Sequence, residues 1–202
     1  MSITLELRRV TTVLTQAPVD LGWMSESEQA RLERLRLPAR RNQYLAGHWL
    51  ARCVIARRLG LDARETVLEE RRGLPPSVGS TGTCERLWLS ISHSGDWIGV
   101  AIAEIPMGID LEQYPRRHSL VEVEALLRAE GDPPGSLDNE GLLQRWVAKE
   151  ARIKRDASEA LPERLRAVRL HRAEWQHADV RLFRSDEFFL GIAADAGGAV
   201  DL

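Results

Sequence analysis

The alternation of apolar and polar residues along the chain predicts a mixture of strands and long helices. The opening letters, MSITLELRRV, alternate with the period of two that is typical of a half-buried strand. Residues 40–60 and 141–157 instead repeat their apolar positions with the spacing of a helix. A shorter helix is predicted over 25–37, where the Ser25 hydroxyl can cap the first turn.

Short apolar runs predict the strands. The segments 86–92, 96–105 and 107–113 are separated only by a tight turn and by a proline, which favours a meander. The Gly-, Pro- and Ser-rich segment 73–83 is predicted to be a loop. The remaining predicted elements are a helical stretch at 119–130 and strands at 165–171, 178–184 and 187–196. This order of strands and helices predicts an α+β fold.

Two of the predicted strands resemble each other in sequence. DWIGVAIAEI (96–105) and EFFLGIAADA (187–196) both begin with an acidic and an aromatic residue and carry a small and an acidic residue near their ends. Each follows a long helix and shorter strands. The repetition predicts two similar lobes, an N-terminal lobe over 1–105 and a C-terminal lobe over 106–202, that form one compact unit.

Composition and charge narrow the classes of function. The chain of 202 residues has a formal net charge of −2, so it lacks the excess of positive charge that marks nucleic-acid-binding proteins. No apolar run is long enough to span a bilayer, and the first residues lack the apolar stretch of a signal peptide. Cys53 and Cys84 form no motif with each other. We therefore expect a cytoplasmic protein without nucleic-acid or membrane partners.

The use of lysine is the first sign of a functional site. The chain has 28 Lys and Arg residues, of which only Lys149 and Lys154 are lysines, both in the hexapeptide KEARIK. A bias toward arginine does not explain these exceptions. An ammonium group is a compact charge on a flexible stem that can follow a phosphate, whereas a guanidinium is a fixed fork that does not lose its proton.

Three carboxylates accompany these lysines. Asp110 and Glu112 are two residues apart in a predicted strand, so they share one face, and repulsion between them favours a bound cation such as Mg²⁺. A solvated acidic edge is the common alternative for two such residues alone. Trp146, Glu150 and Lys154 are spaced by four and line one helical face. Glu150 can then be a third ligand, although a surface Glu150–Lys154 ion pair is the alternative.

The segment SHSG (92–95) is predicted to form a tight turn between two strands. Its backbone N–H groups and the His93 imidazole can bind an anion, while a His93 that only caps the turn is the alternative. Neighbouring Ser92 and His93 on one turn do not provide the nucleophile and base geometry of a hydrolase.

Taken together, these segments resemble the larger, Sfp-like type of the 4′-phosphopantetheinyl transferase superfamily. That family combines G-[IV]-D-x-E with W-x-x-K-E-[AS]-x-x-K and an upstream S-H-S, which are found here at 108–112, 146–154 and 92–94. The resemblance extends over about residues 25–157. It implies two similar α+β lobes with the active site between them, each lobe a small, mostly antiparallel sheet packed with a long helix.

The resemblance also implies a reaction. The phosphopantetheine arm of coenzyme A is transferred to a serine of an apo acyl or peptidyl carrier protein, with Mg²⁺ as cofactor and 3′,5′-ADP as the second product. The implied metal ligands are Asp110, Glu112 and Glu150. The implied catalytic residues are Glu150, Lys154 and Glu130. The implied coenzyme A-binding residues are Ser92, His93, Arg52, Arg72 and Lys154.

Two segments depart from the family pattern. Many members carry G-K-P in the loop before S-H-S, whereas Leu74 occupies the lysine position here, so Arg71 or Arg72 is expected to replace that contact. The segment that carries a glutamate base in the family is poorly matched, and Glu130 is the candidate for it. Three further arginines are expected either to bind phosphate or to lie as charges on the helix surface: Arg40, Arg41 and Arg52.

Two other functions fit parts of the pattern. A non-catalytic relative that binds carrier proteins would explain the departures at Leu74 and Glu130. A Mg²⁺-dependent nuclease would explain the acidic residues and the lysine, although the spacing of Glu150 and Lys154 is helical and the net charge is not basic. If the protein is a transferase, we expect a monomer in which Arg116 and Arg117 face an acidic carrier protein.

Overall fold

The computed structural model describes residues 2–71, 74–79, 87–115, 120, 122, 124–127, 138–156, 179–195 and 199–201. Its helices are α1 (Val10–Gln16), α2 (Glu26–Arg34), α3 (Pro38–Leu59), α4 (Glu124–Leu127) and α5 (Asn139–Arg155). Its strands are β1 (Ser2–Arg9), β2 (Leu68–Glu69), β3 (Ser77–Val78), β4 (Trp88–Ser94), β5 (Trp97–Ala103), β6 (Met107–Gln113), β7 (Val180–Arg184), β8 (Phe188–Ala194) and β9 (Ala199–Asp201). The predicted α+β character is confirmed. The strand predicted at 165–171 lies outside the described residues.

The strands form three small sheets. The first sheet has the order β4-β5-β1-β9, the second pairs β2 with β3, and the third has the order β6-β8-β7. All pairs are antiparallel except β1 with β9, which is parallel. Because β9 comes from the end of the chain, the first sheet contains residues from both of the predicted lobes.

The predicted meander of three strands is wrong at its last strand. β4 pairs with β5, but β6 pairs with β8 in a different sheet. The cause is that the second edge of β5 is already occupied by β1, from Thr4 opposite Ile102 to Arg9 opposite Trp97. The chain therefore leaves the first sheet after β5 and starts the third sheet.

The helices begin and end where local chemistry dictates. Ser25 caps the start of α2, as the sequence predicts, and the Glu28 side chain completes a capping box with it. α3 begins with Pro38 in its first turn, where a missing N–H costs nothing, and ends at Gly60 in the left-handed conformation with a φ of 69°. α1 was not predicted, and it buries Val10 and Val13 three residues apart. No helix in the described part of the chain is long and apolar enough to cross a membrane.

The first and third sheets pack against each other, and each carries a long helix on its outer face. On β5, Ile98, Val100 and Ile102 pack against α3, whereas Ala101 and Ala103 face the third sheet. On β8, Leu190 and Ile192 face the first sheet, and Phe189 and Ala193 face α5. Because side chains point alternately to the two sides of a strand, both faces of β5 and of β8 are buried.

Close contact between α5 and the third sheet depends on two glycines. A Cβ atom at Gly108 would lie 2.2 Å from the carbonyl oxygen of Ala151 and 2.4 Å from the amide nitrogen of Arg155. A Cβ atom at Gly191 would lie 2.7 Å from Val147 Cγ1. These distances are shorter than real contacts of a Cβ atom, so glycine at these two positions lets the last turns of α5 lie directly on β6 and its middle lie directly on β8.

Candidate active site

The S-H-S motif lies at the end of a strand rather than on a turn. Ser92, His93 and Ser94 are the last three residues of β4, and the turn follows at Gly95, which has a φ of 58°. The prediction that SHSG forms the turn is therefore wrong for its first three residues. The strand conformation points Ser90, Ser92 and Ser94 to one face with a period of two.

These serines join the edges of two sheets. The Ile109 amide of β6 donates to Ser90 Oγ at 3.0 Å, and the Leu111 amide donates to Ser92 Oγ at 3.0 Å. Hydroxyl groups thus occupy the places that backbone carbonyls would hold in a continuous sheet. The bridge brings β4 of the first sheet beside β6 of the third sheet, and the polar face of β6 lies at this junction.

Asp110 forms the centre of the site. Its side chain is almost completely buried, and its neighbours in β6, Ile109 and Leu111, are fully buried in the core as predicted. Ser92 Oγ donates to Asp110 Oδ1 at 2.9 Å, and Lys154 Nζ donates to the same oxygen at 2.6 Å. A buried carboxylate needs such partners because its charge is otherwise very costly to desolvate.

Lys154 is held by three groups. Its ammonium donates to Asp110 Oδ1 and, at 3.1 Å, to Ser92 Oγ, and it lies 3.7 Å from Glu150 Oε2. Burial lowers the pKa of Lys154, but the negative charges of Asp110 and Glu150 outweigh burial and raise it. The side chain is 22% exposed, so this permanently charged group still reaches the solvent side of the site.

Glu150 has a strongly perturbed carboxyl group. Burial raises its pKa to about 8, with further contributions from the charges of Asp110 and Glu112 that exceed the opposing effect of Lys154. Glu150 therefore holds a proton at neutral pH until additional positive charge reaches it. Glu112 lies two residues after Asp110, on the same face of β6, and accepts a hydrogen bond from Ser94 Oγ at 2.7 Å.

His93 lies on the other face of β4, beside α3. Burial, together with the charges of Arg40 and Lys154, lowers the pKa of His93 to about 4, so its ring is neutral at physiological pH. Arg40 Nη1 lies 3.1 Å from His93 Nδ1. Because a guanidinium can only donate, Nδ1 is the acceptor and Nε2 carries the proton. Of the two roles predicted for His93, hydrogen bonding fits this environment and the cationic form does not.

One concave surface adjoins the site, and a second, larger one adjoins the first through Arg71. A cavity of about 80 Å³ is lined by Lys154, Arg71 and Trp88 together with Pro75 and Pro76. A larger, open concavity of about 790 Å³ has three arginines in its lining. Its principal lining residues are Arg31, Arg34, Arg71, Glu70 and Leu74. Arg71 therefore lies between the two concave surfaces, with Lys154 at one end.

Arg52 does not lie in this site. Its side chain is fully buried, and it forms a two-pronged ion pair with Glu28 at 2.8 and 2.5 Å. His48 Nδ1 lies 2.6 Å from the same carboxylate. This placement contradicts the expectation that Arg52 binds phosphate and makes it a structural link between α2 and α3. Arg72, Arg116, Arg117 and Glu130 lie outside the described residues.

The carboxylates are the type of ligand that Mg²⁺ prefers, but they are not already arranged around a metal position. Among the described residues, no group of three or more His, Cys, Asp or Glu side chains is gathered closely enough to hold a metal ion. However, the buried Asp110 Oδ2 has no hydrogen-bond partner among the described residues. An unsatisfied hard oxygen ligand beside two further carboxylates fits a small divalent cation.

The sequence pattern indicated Asp110, Glu112, Glu150 and Lys154 as members of the site, but it did not indicate that Ser90 and Ser92 connect β4 to β6 beside them. The spacing of Asp110 with Glu112 and of Glu150 with Lys154 was sufficient to place each pair on one face of its element. The alternation of serine in SISHS was the available signal for Ser90 and Ser94. No family model matches the chain, and no curated protein matches it either. The functional proposal therefore depends on the residues of the site.

Proposed function

We propose that the protein is a Mg²⁺-dependent 4′-phosphopantetheinyl transferase that acts on an apo acyl or peptidyl carrier protein. The observation that carries the proposal is the convergence of Asp110, Glu150 and Lys154 at the junction of β4, β6 and α5. Asp110 lies 44 residues before Lys154 in sequence, whereas Glu150 and Lys154 share α5, and each belongs to a motif for which the family resemblance implies this role. A surface ion pair would not require a buried aspartate and a shared serine.

The reaction transfers a phosphoryl centre between two oxygens. The carrier serine oxygen forms a bond to the phosphorus that bears the pantetheine arm, and the pyrophosphate P–O bond breaks. The electron pair of that bond leaves with 3′,5′-ADP, and the serine proton passes to a carboxylate base. Glu130 remains the candidate for this base. Negative charge grows on the leaving phosphate, so positive groups must be placed there in advance.

The residues of the site suit these demands. Asp110, Glu112 and Glu150 would hold Mg²⁺, which when bound would neutralise charge on the pyrophosphate. Lys154 supplies a fixed positive charge that the carboxylates keep protonated. Glu150 can give up its proton when a cation arrives, because its pKa of about 8 results from burial and from neighbouring negative charge.

The adjoining cavity supports a ligand that bears phosphate. The cavity beside Lys154 combines the Arg71 guanidinium with the Trp88 ring and two prolines. This combination suits a phosphate and an adjacent flat apolar group, and its volume of about 80 Å³ would hold only part of a nucleotide, since ligand pockets typically measure about 300–1,000 Å³. Ser92 and His93 lie on the strand that borders this cleft. Arg71 is the candidate to replace the lysine that Leu74 displaces.

We also propose that the two sheet-and-helix units are related by pseudo-symmetry. The first sheet carries α3 and the third sheet carries α5 on their outer faces. Trp97 and Phe188 hold equivalent positions in the two similar strand sequences, and their rings meet edge to face at 5.0 Å. The proposal predicts that the two units superpose and that the protein functions as a monomer.

The experiment that tests the function is a transfer assay read by intact-protein mass. Wild type, coenzyme A and Mg²⁺ are incubated with a panel of apo carrier proteins from fatty-acid, polyketide and nonribosomal-peptide synthesis. We expect a gain of one phosphopantetheine on at least one carrier, with no gain in EDTA or with Glu150→Ala. Absence of any gain by a protein that still binds coenzyme A would favour the non-catalytic relative. Mg²⁺-dependent cleavage of DNA would favour the nuclease.

A further inference from the structure

The hydroxyl group of Ser92 has a partner for each of its hydrogen-bonding positions. Its oxygen accepts from the Leu111 amide at 3.0 Å and from Lys154 Nζ at 3.1 Å, and the hydroxyl donates to Asp110 Oδ1 at 2.9 Å. A serine hydroxyl has one proton to donate and two lone pairs. All three positions are therefore used, in a side chain that is only 4% exposed.

The direction of these hydrogen bonds follows from the partners. The Leu111 amide and the Lys154 ammonium are donors only, so they must occupy the two lone pairs. The single hydroxyl proton is then left for Asp110. We propose that Ser92 is a positioning residue that fixes the Asp110 carboxylate and the Lys154 ammonium relative to each other, a role whose consequence for turnover rests on the proposed function.

The fixed hydroxyl also determines which oxygen of Asp110 is available. Both Ser92 and Lys154 donate to Oδ1, so rotation of the carboxylate would break two hydrogen bonds at once. The buried Oδ2 is thereby the oxygen left without a hydrogen-bond partner among the described residues. Groups that orient a ligand in this way typically change metal affinity or activity by about 10- to 100-fold when they are removed.

Ser90 is a matched control on the same strand. Its hydroxyl accepts from the Ile109 amide at 3.0 Å, and its side chain is fully buried. It therefore forms the same bridge from β4 to β6 as Ser92. In the described part of the chain, its hydroxyl makes no hydrogen bond with Asp110 or Lys154. Removal of either hydroxyl weakens the bridge, but only removal of the Ser92 hydroxyl disturbs the site.

The test uses the scarcity of lysine. Because the chain contains only Lys149 and Lys154, selective ¹³C,¹⁵N labelling of lysine gives two side-chain signals in an NMR spectrum. In metal-free protein without coenzyme A, we expect Ser92→Ala to shift the Lys154 Nζ and Cε signals. Ser90→Ala should leave both in place while losing a similar amount of stability in urea unfolding. In the transfer assay, Ser92→Ala should lose about 10- to 100-fold in rate, and Ser90→Ala should remain close to wild type.

The NMR result stands apart from the transfer reaction. An unchanged Lys154 signal in Ser92→Ala, or an equal shift in Ser90→Ala, would overturn the positioning role even if the wild type transfers phosphopantetheine. A selective shift would support it even if no carrier is modified. If Ser92→Ala does not fold, the positioning role is tested in the wild-type protein instead. A nuclear Overhauser effect between the Lys154 ε-CH₂ and the Ser92 β-CH₂ is expected, and its absence would contradict the inference.

Discussion

Lys154 shows why a single residue type can be decisive. Its ammonium fits between Asp110 Oδ1 at 2.6 Å and Ser92 Oγ at 3.1 Å, in a pocket closed by Glu150. A guanidinium is wider, and its planar fork would have to displace one of these groups. Lys149, by contrast, is fully buried in α5 and is not placed to meet a substrate. The two lysines therefore have different roles.

The first prediction concerns the exchange of this lysine. Lys154→Arg keeps the positive charge, so it should retain the fold, but it should lose transfer activity by about 100-fold or more because the charge is displaced from the developing phosphate charge. Activity is measured by intact mass and stability by urea unfolding. The reverse exchange at an exposed ion pair, Arg58→Lys, is the control and should change neither quantity. Near-normal turnover by Lys154→Arg would contradict the inference that the site requires lysine at position 154.

At the scale of helices and strands, the site exists because α5 lies directly on β6. Gly108 is the residue that permits this contact, since a Cβ atom there would overlap the backbone of α5 at both Ala151 and Arg155. The overlapping atoms belong to backbone and cannot rotate away. The glycine of the GIDLE motif is thus explained by packing, and its effect on chemistry is indirect.

The second prediction tests this contact. Gly108→Ala should push the end of α5 away from β6, lower the free energy of unfolding by about 1–3 kcal/mol or more, and separate Lys154 from Asp110. Urea unfolding and the labelled-lysine spectrum measure the two effects. The control is Gly22→Ala, whose added Cβ would meet only the movable Asp20 side chain at 3.1 Å. Equal stability of the two variants would refute this account of Gly108.

The connection between α2 and α3 depends on a buried ion pair. Burial raises the pKa of Glu28, but hydrogen bonds and charge from His48 and Arg52 outweigh burial and lower it to about 2. A carboxyl whose pKa is lowered by folding stabilises the folded state above its usual pKa of about 4.5, and that stability is lost as the pH falls toward 2.

The third prediction follows from this pair. Arg52→Met should lower the free energy of unfolding by about 3–5 kcal/mol at pH 7, because a buried charge loses its partner. The double variant Glu28→Gln/Arg52→Met should recover much of that loss. Between pH 5 and about pH 2, Glu28→Gln should lose less stability than wild type. Glu33→Gln, at an exposed position on the same helix, is the control. If the free energy of unfolding depends on pH in both variants as it does in the wild type, the low pKa assigned to Glu28 is wrong.

Prediction from sequence succeeded where the relevant contacts are local. Three local features were predicted correctly: the helix cap at Ser25, the end of α3 at Gly60, and the shared face of Asp110 and Glu112. Each depends on neighbours within a few residues. Contacts between distant segments were not predictable in the same way. The partner of Arg52 lies 24 residues away, and the pairing of β6 with β8 depends on β1 having already occupied the edge of β5.

At the scale of the whole molecule, the site is a product of how two sheets meet. β4 ends the first sheet, β6 ends the third, and the serine bridge closes the gap between these edges. α5 then covers the polar face of β6 and supplies Glu150 and Lys154. No single element contains all groups of the site, so the site forms only when β4, β6 and α5 pack together. This arrangement also opens the site toward the cleft that Arg71 lines.

The measurement that tests the central claim most directly compares wild type with Glu150→Gln in the transfer of phosphopantetheine to an apo carrier protein. Gln keeps the shape of the protonated Glu150 but has no proton to give up when a cation arrives, so folding should be unaffected while cation binding is lost. We predict a Mg²⁺-dependent mass gain of one phosphopantetheine with wild type, absent with Glu150→Gln and with a carrier whose acceptor serine is replaced by alanine. Equal transfer by wild type and Glu150→Gln, or a gain that persists in EDTA, would contradict the proposed carboxylate and lysine site.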